Sequence, residues 1–324
     1  MTNTNLVTWA LVLLLAAPLA GQKIIYVKAG SSGNGASWET ALGDLQLALA
    51  RARPGDEIWV AAGTYTPTDG DDRQAAFLIP DGVGVYGGFA GTETNRFQRD
   101  WQQNKTFLSG EIGSPNLGDN SYNVVITRGV SSATVVDGFI ITGGSAGGST
   151  PAGDRFRCGG GWYNDGSQHP SNPIISNCTF LANYARDGGA LYNNGAGGEA
   201  SPVLLNCRFF ANRADMDGGA LFNDGRKAGK SNPRLENCRF EGNQANYGGA
   251  VLNYGGGGQA SPRLFNCQFI NNQAYMRGGG LFNLSVDGEA QPDLQHCRFL
   301  DNYPDNKSTY KPQQYEDIIS TSRL

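Results

Sequence analysis

A module of about 30 residues recurs through residues 158–302 and limits what this 324-residue chain can fold into. Each copy has a Gly-Gly pair, then an aliphatic or aromatic residue and an Asn, and later an Asn-Cys or His-Cys pair with Phe-x-x-Asn. A fixed period of this length is typical of a solenoid, in which every coil buries its apolar side chains against the next. The Gly-Gly pairs begin at Gly160, Gly188, Gly218, Gly248 and Gly278.

Two apolar columns within the repeat predict which side chains point inward. The position before the Phe column varies between Thr, Arg and Gln, so a constant apolar position alternates with a variable polar one. That alternation indicates half-buried strands, and we expect three of them per repeat, pairing in parallel from coil to coil at a rise of about 4.8 Å. The columns are Leu191, Leu221, Val251 and Leu281, and Phe180, Phe209, Phe240, Phe269 and Phe299.

Asparagine and cysteine form further columns. Stacked amides hydrogen-bond along the axis and tolerate the left-handed turn conformation, so we interpret the Asn columns as structural ladders; binding of sugar hydroxyls is the functional alternative. Five cysteines occupy one column, which predicts buried thiols that pack as small apolar residues. Cys158 lies outside that column, and exposure of its thiol stays open. The cysteine column is Cys178, Cys207, Cys238, Cys267 and Cys297.

The chain divides into a leader, one solenoid domain and a tail. Residues 1–21 contain an apolar run of signal-peptide length, too short for a membrane span. Residues 22–302 are predicted to form a single β-helix domain, in which residues 22–63 form an N-terminal cap with a helix from Thr40 to Ala52 and residues 158–302 form the regular repeats. Residues 303–324 are predicted to be a polar tail.

Charge and hydropathy limit the partners. The chain has 25 basic and 29 acidic residues and no basic stripe, so nucleic acid is not an expected partner. No apolar stretch after the leader is long enough to cross a bilayer, so the mature chain is expected to have no transmembrane span. We therefore predict a secreted or cell-surface protein.

Asp187 and Asp217 are a weak candidate pair for acid–base catalysis. They precede the Gly-Gly turns of consecutive repeats, one coil apart. Asp215, Arg186 and Arg277 lie near them in the pattern, but the next members of the column are Tyr247 and Arg277, so the acidic pair does not continue. No spacing indicates a cofactor or a metal, and calcium has no support in the pattern. Two further sets are weaker still, namely Asp154 with Asp165 beside Cys158, and the separated pair His169 and His296.

An aromatic stripe is the second candidate site. If the aliphatic column faces inward, the next residue of each repeat faces outward and could stack on sugar rings or pack against a protein partner. The alternative is that glycine-rich loops such as Gly195–Ser201 and Gly255–Ser261 fold over the stripe. Its members are Tyr163, Tyr192, Phe222, Leu252 and Phe282.

The Gly-Gly-Ala-Leu and Gly-Gly-Ala-Val segments and the Phe-x-x-Asn pairs resemble the repeats of chlamydial polymorphic outer membrane proteins. These repeats are shared with bacterial secreted right-handed parallel β-helix proteins of pectin-lyase-like fold. The resemblance implies an all-β, right-handed parallel β-helix solenoid with about 30 residues per coil in its C-terminal half.

The resemblance also implies an extracellular or cell-surface location, and adhesion in the chlamydial members. Two hypotheses follow. One is a non-enzymatic adhesive, glycan-binding or structural protein whose partner is a polysaccharide, a cell-surface glycan or a protein. The other is a polysaccharide lyase or hydrolase on the same scaffold, which is supported by the resemblance in fold and by the pair Asp187 and Asp217.

Overall fold

A computed structural model describes residues 21–310, and the predicted signal peptide lies outside the described residues except for Gly21. The described chain is a solenoid of parallel strands with one short α-helix, which confirms the predicted parallel β-helix. Before the repeats the strands are β1 (Ile24–Val27), β2 (Glu57–Ala61), β3 (Gly63–Tyr65), β4 (Phe77–Leu78), β5 (Gly84–Phe89), β6 (Thr106–Ser109), β7 (Val125–Arg128), β8 (Val135–Asp137), β9 (Ile140–Thr142) and β10 (Ser145–Ala146).

The repeats contribute the remaining strands. They are β11 (Trp162–Asp165), β12 (Ile174–Ser176), β13 (Thr179–Leu181), β14 (Tyr184–Asp187), β15 (Leu191–Asn194), β16 (Val203–Leu205), β17 (Arg208–Phe210), β18 (Arg213–Asp217), β19 (Leu221–Asp224), β20 (Arg234–Glu236), β21 (Arg239–Glu241), β22 (Gln244–Tyr247), β23 (Val251–Tyr254), β24 (Arg263–Phe265), β25 (Gln268–Ile270), β26 (Gln273–Arg277), β27 (Leu281–Leu284), β28 (Asp293–Gln295), β29 (Arg298–Leu300) and β30 (Lys307–Tyr310).

The strands stack into four parallel sheets. Sheet A has the order β1-β2-β5-β8-β12-β16-β20-β24-β28, and sheet B has the order β3-β6-β9-β13-β17-β21-β25-β29. Sheet C has the order β4-β7-β11-β15-β19-β23-β27-β30, and sheet D has the order β10-β14-β18-β22-β26. A regular coil visits sheets A, B, D and C in turn, so the prediction of three strands per repeat is wrong. The missed strand belongs to sheet D, whose inward residue is a small alanine in every repeat: Ala185, Ala214, Ala245 and Ala274.

The predicted inward columns form the core. The Phe rings stack face to face, with consecutive centroids 4.5–4.9 Å apart. Four of the five column cysteines are buried, and Cys297 in the last coil is partly buried. The amides bond from coil to coil as predicted; for example, Asn212 Nδ2 donates to Asn243 Oδ1 over 3.0 Å.

Tight turns let the coils approach each other closely. Asn177, Asn206, Asn237, Asn266 and His296 connect sheets A and B with φ between 51° and 54°, the left-handed region that Asn adopts more readily than most residues. At Gly189 a Cβ atom would lie 2.3 Å from the carbonyl oxygen of Gly219, so the stacked Gly-Gly turns leave no room for a side chain.

The N-terminal cap contains helix α1, Leu45–Arg51, which is shorter than the predicted helix Thr40–Ala52. Its first turn is capped by Asp44, whose side chain accepts a hydrogen bond from Gln46 N, and its buried residues Leu45, Ala48 and Leu49 join the core. The residues before it are not helical, because Leu42 pairs with β1 as an isolated parallel bridge to Val27.

At the other end, sheet C extends beyond residue 302. Strand β30 lies in the segment predicted to be a polar tail, and it pairs with β27 from Leu281↔Lys307 to Leu284↔Tyr310. Within residues 21–310 no helix is long and apolar enough to span a membrane.

Candidate functional sites

The carboxyl pair of Asp187 and Asp217 lies at the end of sheet D, where each strand enters a Gly-Gly turn. The two residues are direct partners between β14 and β18, as predicted. The column is Cys158, Asp187, Asp217, Tyr247 and Arg277 in successive coils. Adjacent strands are about 4.8 Å apart, so the two carboxyl groups share one local environment.

Asp187 is buried and paired with a cation that the sequence did not predict. Arg157 donates to Asp187 Oδ2 from Nε over 2.8 Å and from Nη2 over 2.5 Å. The Cys158 sulfur lies 4.0 Å from the same oxygen, and Cys158 is fully buried rather than exposed. Burial raises the pKa of Asp187, and the charge of Arg157 opposes that effect.

Asp217 has the more perturbed carboxyl group. Burial, followed by repulsion from the charge of Asp187, raises the pKa of Asp217 to about 7. A carboxyl group with such a pKa is able to donate or accept a proton at neutral pH, as general acid–base catalysis requires.

A loop formed by residues 148–157 lies against Asp187. Gly148 N donates to Phe156 O, and the hydroxyl of Tyr163 donates to Gly153 O over 2.6 Å. Arg157 itself belongs to this loop, so its ion pair with Asp187 ties the loop to sheet D. Asp187 is therefore held under this loop, whereas Asp217 in the next coil is partly exposed.

The other acid–base candidates are engaged separately. Asp215 accepts a hydrogen bond from the hydroxyl of Tyr184 and forms an ion pair with Arg213. Asp154 accepts from Phe156 N, and Asp165 accepts from Ser167 and Asn194. The remaining predicted side chains do not form a common site. They are partly buried Arg186, exposed Arg277, and the exposed, separated His169 and His296.

The residues of the predicted aromatic stripe do form a column, but the prediction that this column is exposed is wrong. Its five members are at most 5% exposed and form a second apolar cluster on the outer face of sheet C. Loop residues cover part of it, as in the alternative interpretation: the Tyr163 hydroxyl donates to Gly153 O, and Arg226, in the loop after β19, donates to the Tyr192 hydroxyl and to Asp224 Oδ2. The Tyr192 hydroxyl in turn donates to Asp224 Oδ2 over 2.7 Å. Tyr163, Tyr192, Phe222, Leu252 and Phe282 are thus packed side chains rather than an exposed surface.

An open groove of about 690 Å³, which the sequence did not predict, crosses the boundary of sheets A and B. One wall comes from the polar insertion after β5, and the floor comes from the asparagine turns and the outer face of sheet B. The side chains that carry chemistry are Trp101, Gln102, Gln103, Lys105, Asn177, Thr179, Asn206 and Arg208. The lining contains two cations, four amides and an indole ring, and it contains no Asp or Glu.

A chain of polar contacts holds the wall and the floor of the groove together. Arg99 forms an ion pair with Asp137 over 2.5 Å and lies 5.2 Å from the ring of Trp101. Asp137 accepts from Asn177 Nδ2, and Asn177 Oδ1 accepts from Asn206 Nδ2 over 3.2 Å. The insertion and the exposed Asn ladder are therefore linked at the groove. Trp101 and Lys105 line the groove and belong to the polar insertion after β5, which can be recognised in the sequence.

Across residues 21–310 no group of three or more His, Cys, Asp or Glu side chains converges on one point to hold a metal ion.

Comparison with known proteins relates the chain to β-helix proteins. No curated protein matches the sequence. The solved structures that match include pectate lyase Pel9A, with 13% identity, a TM-score of 0.44, and coverage of 81% of this chain and 68% of that one. They also include a rhamnogalacturonan lyase, with 11% identity, a TM-score of 0.30, and coverage of 85% and 87%. Residues 158–302 match the family model described as a right-handed β-helix region.

Proposed function

We propose that this chain is an exported or cell-surface β-helix protein that binds glycans without cleaving them, in an adhesive or structural role. The observation that supports the proposal is the lining of the open groove, which offers cations, amides and an indole ring but no carboxyl group. The apolar run within residues 1–21 and the resemblance of the repeats to polymorphic outer membrane proteins support export.

Each group in the groove suits one part of a sugar. An indole ring packs against the apolar face of a pyranose, and amides donate to and accept from hydroxyl groups. Lys105 and Arg208 add positive charge, which favours saccharides with carboxylate or sulfate groups. The absence of an acid–base pair from the lining favours binding over hydrolysis.

A glycan array probed with the full chain, followed by affinity measurement on the best ligand, tests this proposal. Trp101→Ala and Arg208→Ala are expected to weaken binding at least tenfold, or about 1.4 kcal/mol. Arg298→Ala is the matched control, because Arg298 lies in the same outer column of sheet B as Arg208 but three coils away. Equal affinity in all three variants, or no ligand on the array, would contradict the proposal.

A second candidate, a polysaccharide-degrading enzyme, is supported by the carboxyl pair and the pKa of about 7 at Asp217. It requires the loop formed by residues 148–157 to move aside, since Arg157 holds Asp187 beneath it. Product release from a panel of polysaccharides is expected to be abolished in Asp187→Asn and Asp217→Asn. Cleavage that survives both substitutions excludes this pair as the catalytic site.

A further inference from the structure

The last coil ends with open strand edges and an open core. Within residues 21–310, β28 and β29 are the outermost strands of sheets A and B, and each pairs with another strand on one side only. Leu294, Cys297 and Phe299 of this coil are partly exposed, whereas the equivalent side chains one coil earlier are buried. Unpaired backbone groups on an edge strand are a template for pairing with another chain.

The opposite end of the solenoid is covered. Helix α1 packs against β1 and β4, the first strands of sheets A and C, and buries Leu45, Ala48 and Leu49 there. This cover blocks a stack of copies in which the last coil of one meets the first coil of the next. Two identical open ends can still meet about a two-fold axis, which gives a closed dimer rather than a fibre.

The backbone of β29 fits such a dimer. Arg298 N donates to Cys267 O over 2.9 Å. Leu300 O accepts from Asn271 N over 3.0 Å, so both groups point toward the preceding coil. Backbone groups of successive residues in a strand point to opposite sides, so the N–H and C=O groups of Phe299 point to the open end. In an antiparallel pair, two such residues exchange both hydrogen bonds.

We propose that two copies of this chain form a dimer in which β29 pairs with β29 of the other copy, antiparallel about a two-fold axis at Phe299. Each Phe299 N–H donates to the Phe299 C=O of the other copy. Residues directly opposite each other in a sheet point to the same face. Both Phe299 rings therefore face the core, and the ring stack, whose last spacing is 4.5 Å, continues from one chain into the next.

The surroundings of the open end suit a second copy. One coil has about 30 residues, and a standard interface uses about 20–30 residues from each partner. Residues 293–310 carry two basic and three acidic side chains, so two copies repel each other little. Half of the ten strongly exposed large apolar side chains among the described residues belong to the last two coils. They are Phe265, Tyr275, Met276, Leu300 and Tyr303.

The antiparallel register sets one further pair of neighbours. With Phe299 on the axis, Arg298 lies opposite the partner's Leu300 on the outer face, and this contact occurs twice. Arg298 and Leu300 are the two ends of β29 in one chain, so only the pairing of two copies brings them directly opposite each other.

Sedimentation equilibrium of the full-length protein tests the proposal, and we expect twice the mass of one chain at micromolar concentration. Leu300→Lys is expected to weaken the dimer about tenfold, because it places like charges opposite Arg298 at both ends of the strand pair. Adding Arg298→Glu to Leu300→Lys is expected to restore the affinity to within about threefold, because opposite charges then face each other. Leu47→Lys is the matched control, since Leu47 is a leucine of α1 that is 39% exposed at the covered end.

A chain that stays monomeric at every concentration overturns the proposal, and means that another segment or another protein covers the open end. A dimer that Leu47→Lys weakens as much as Leu300→Lys does, or one that Arg298→Glu does not restore, overturns the strand pairing. If Leu300→Lys does not fold, amide exchange of the unsubstituted protein decides. Exchange at Phe299 N–H is expected to slow as the protein concentration rises, and a rate that is independent of concentration contradicts the pairing.

Discussion

At the residue scale, the carboxyl group of Asp217 makes the folded state sensitive to pH. Its folded pKa of about 7 exceeds the unfolded value of about 3.9. The folded chain therefore binds this proton more tightly, and the stabilisation that results is present below about pH 4 and lost as pH rises to 7. Asp217→Asn removes the titrating carboxyl group, and with it this loss of stability at rising pH. Between pH 5 and pH 8 the unfolding free energy of the unsubstituted protein is expected to fall by about 2 kcal/mol relative to that of the variant.

Chemical denaturation at the two pH values measures this difference in unfolding free energy. Asp301→Asn is the control, because Asp301 is exposed and its φ of 52° suits Asn equally well. That substitution is expected to leave the pH dependence unchanged. A pH dependence that is the same with and without Asp217 would show that its carboxyl group is not the sensitive one.

At the scale of the element, two of the Asn ladders, those of Asn243 and Asn237, have the same chemistry but different burial. Asn243 is fully buried, donates from Nδ2 to Phe209 O and Asn272 Oδ1, and accepts two hydrogen bonds from Asn212. Asn243→Ala leaves these partners unpaired in the core, which is expected to lower the unfolding free energy by about 3–5 kcal/mol, since each buried unpaired group costs about 1–3 kcal/mol.

The exposed ladder supplies the comparison. Asn237 donates to Asn206 and accepts from Asn266, but its amide lies in water. Asn237→Gly keeps a residue that tolerates the φ of 54° at this turn, and it is expected to cost less than about 1 kcal/mol. Urea denaturation of Asn243→Ala and Asn237→Gly measures the unfolding free energy that each variant loses. Equal losses would mean that burial does not control the strength of the ladders.

The elements that could be predicted from the sequence are those whose side chains stack on copies of themselves. The Phe, Leu, Asn and Cys columns are visible because each coil imposes the same constraint on the next. Sheet D was missed because its inward residue is Ala, which is too small to stand out in the repeat. The burial of Tyr192 was predicted only as one of two alternatives, because the loop around Arg226 that covers it has no periodic pattern.

The candidate sites depend on residues far apart in the chain, which is why the sequence predicted them only in part. Asp187 and Asp217 were found because they share a column, whereas Arg157 reaches them from an irregular loop. In the groove, Trp101 and Arg208 are separated by more than three coils of sequence and are brought together only when the insertion after β5 folds back over sheet B.

At the scale of the whole molecule, each coil is stabilised by its two neighbours, so position along the axis decides what a core substitution does. Phe240 stacks on Phe209 at 4.6 Å and on Phe269 at 4.9 Å, whereas Phe299 stacks on Phe269 alone and is only partly buried. Phe240→Ala is therefore expected to cost about 3–5 kcal/mol and to raise hydrogen exchange in coils on both sides.

Phe299→Ala is the matched substitution at the end of the same stack. It removes one ring contact and leaves the inner coils paired, so faster hydrogen exchange is expected only in β28, β29 and β30. Hydrogen exchange read by mass spectrometry, peptide by peptide, resolves the two patterns. If Phe299→Ala accelerated exchange as far as β12 and β13, the solenoid would unfold as one cooperative unit, and the nearest-neighbour description of its stability would be wrong.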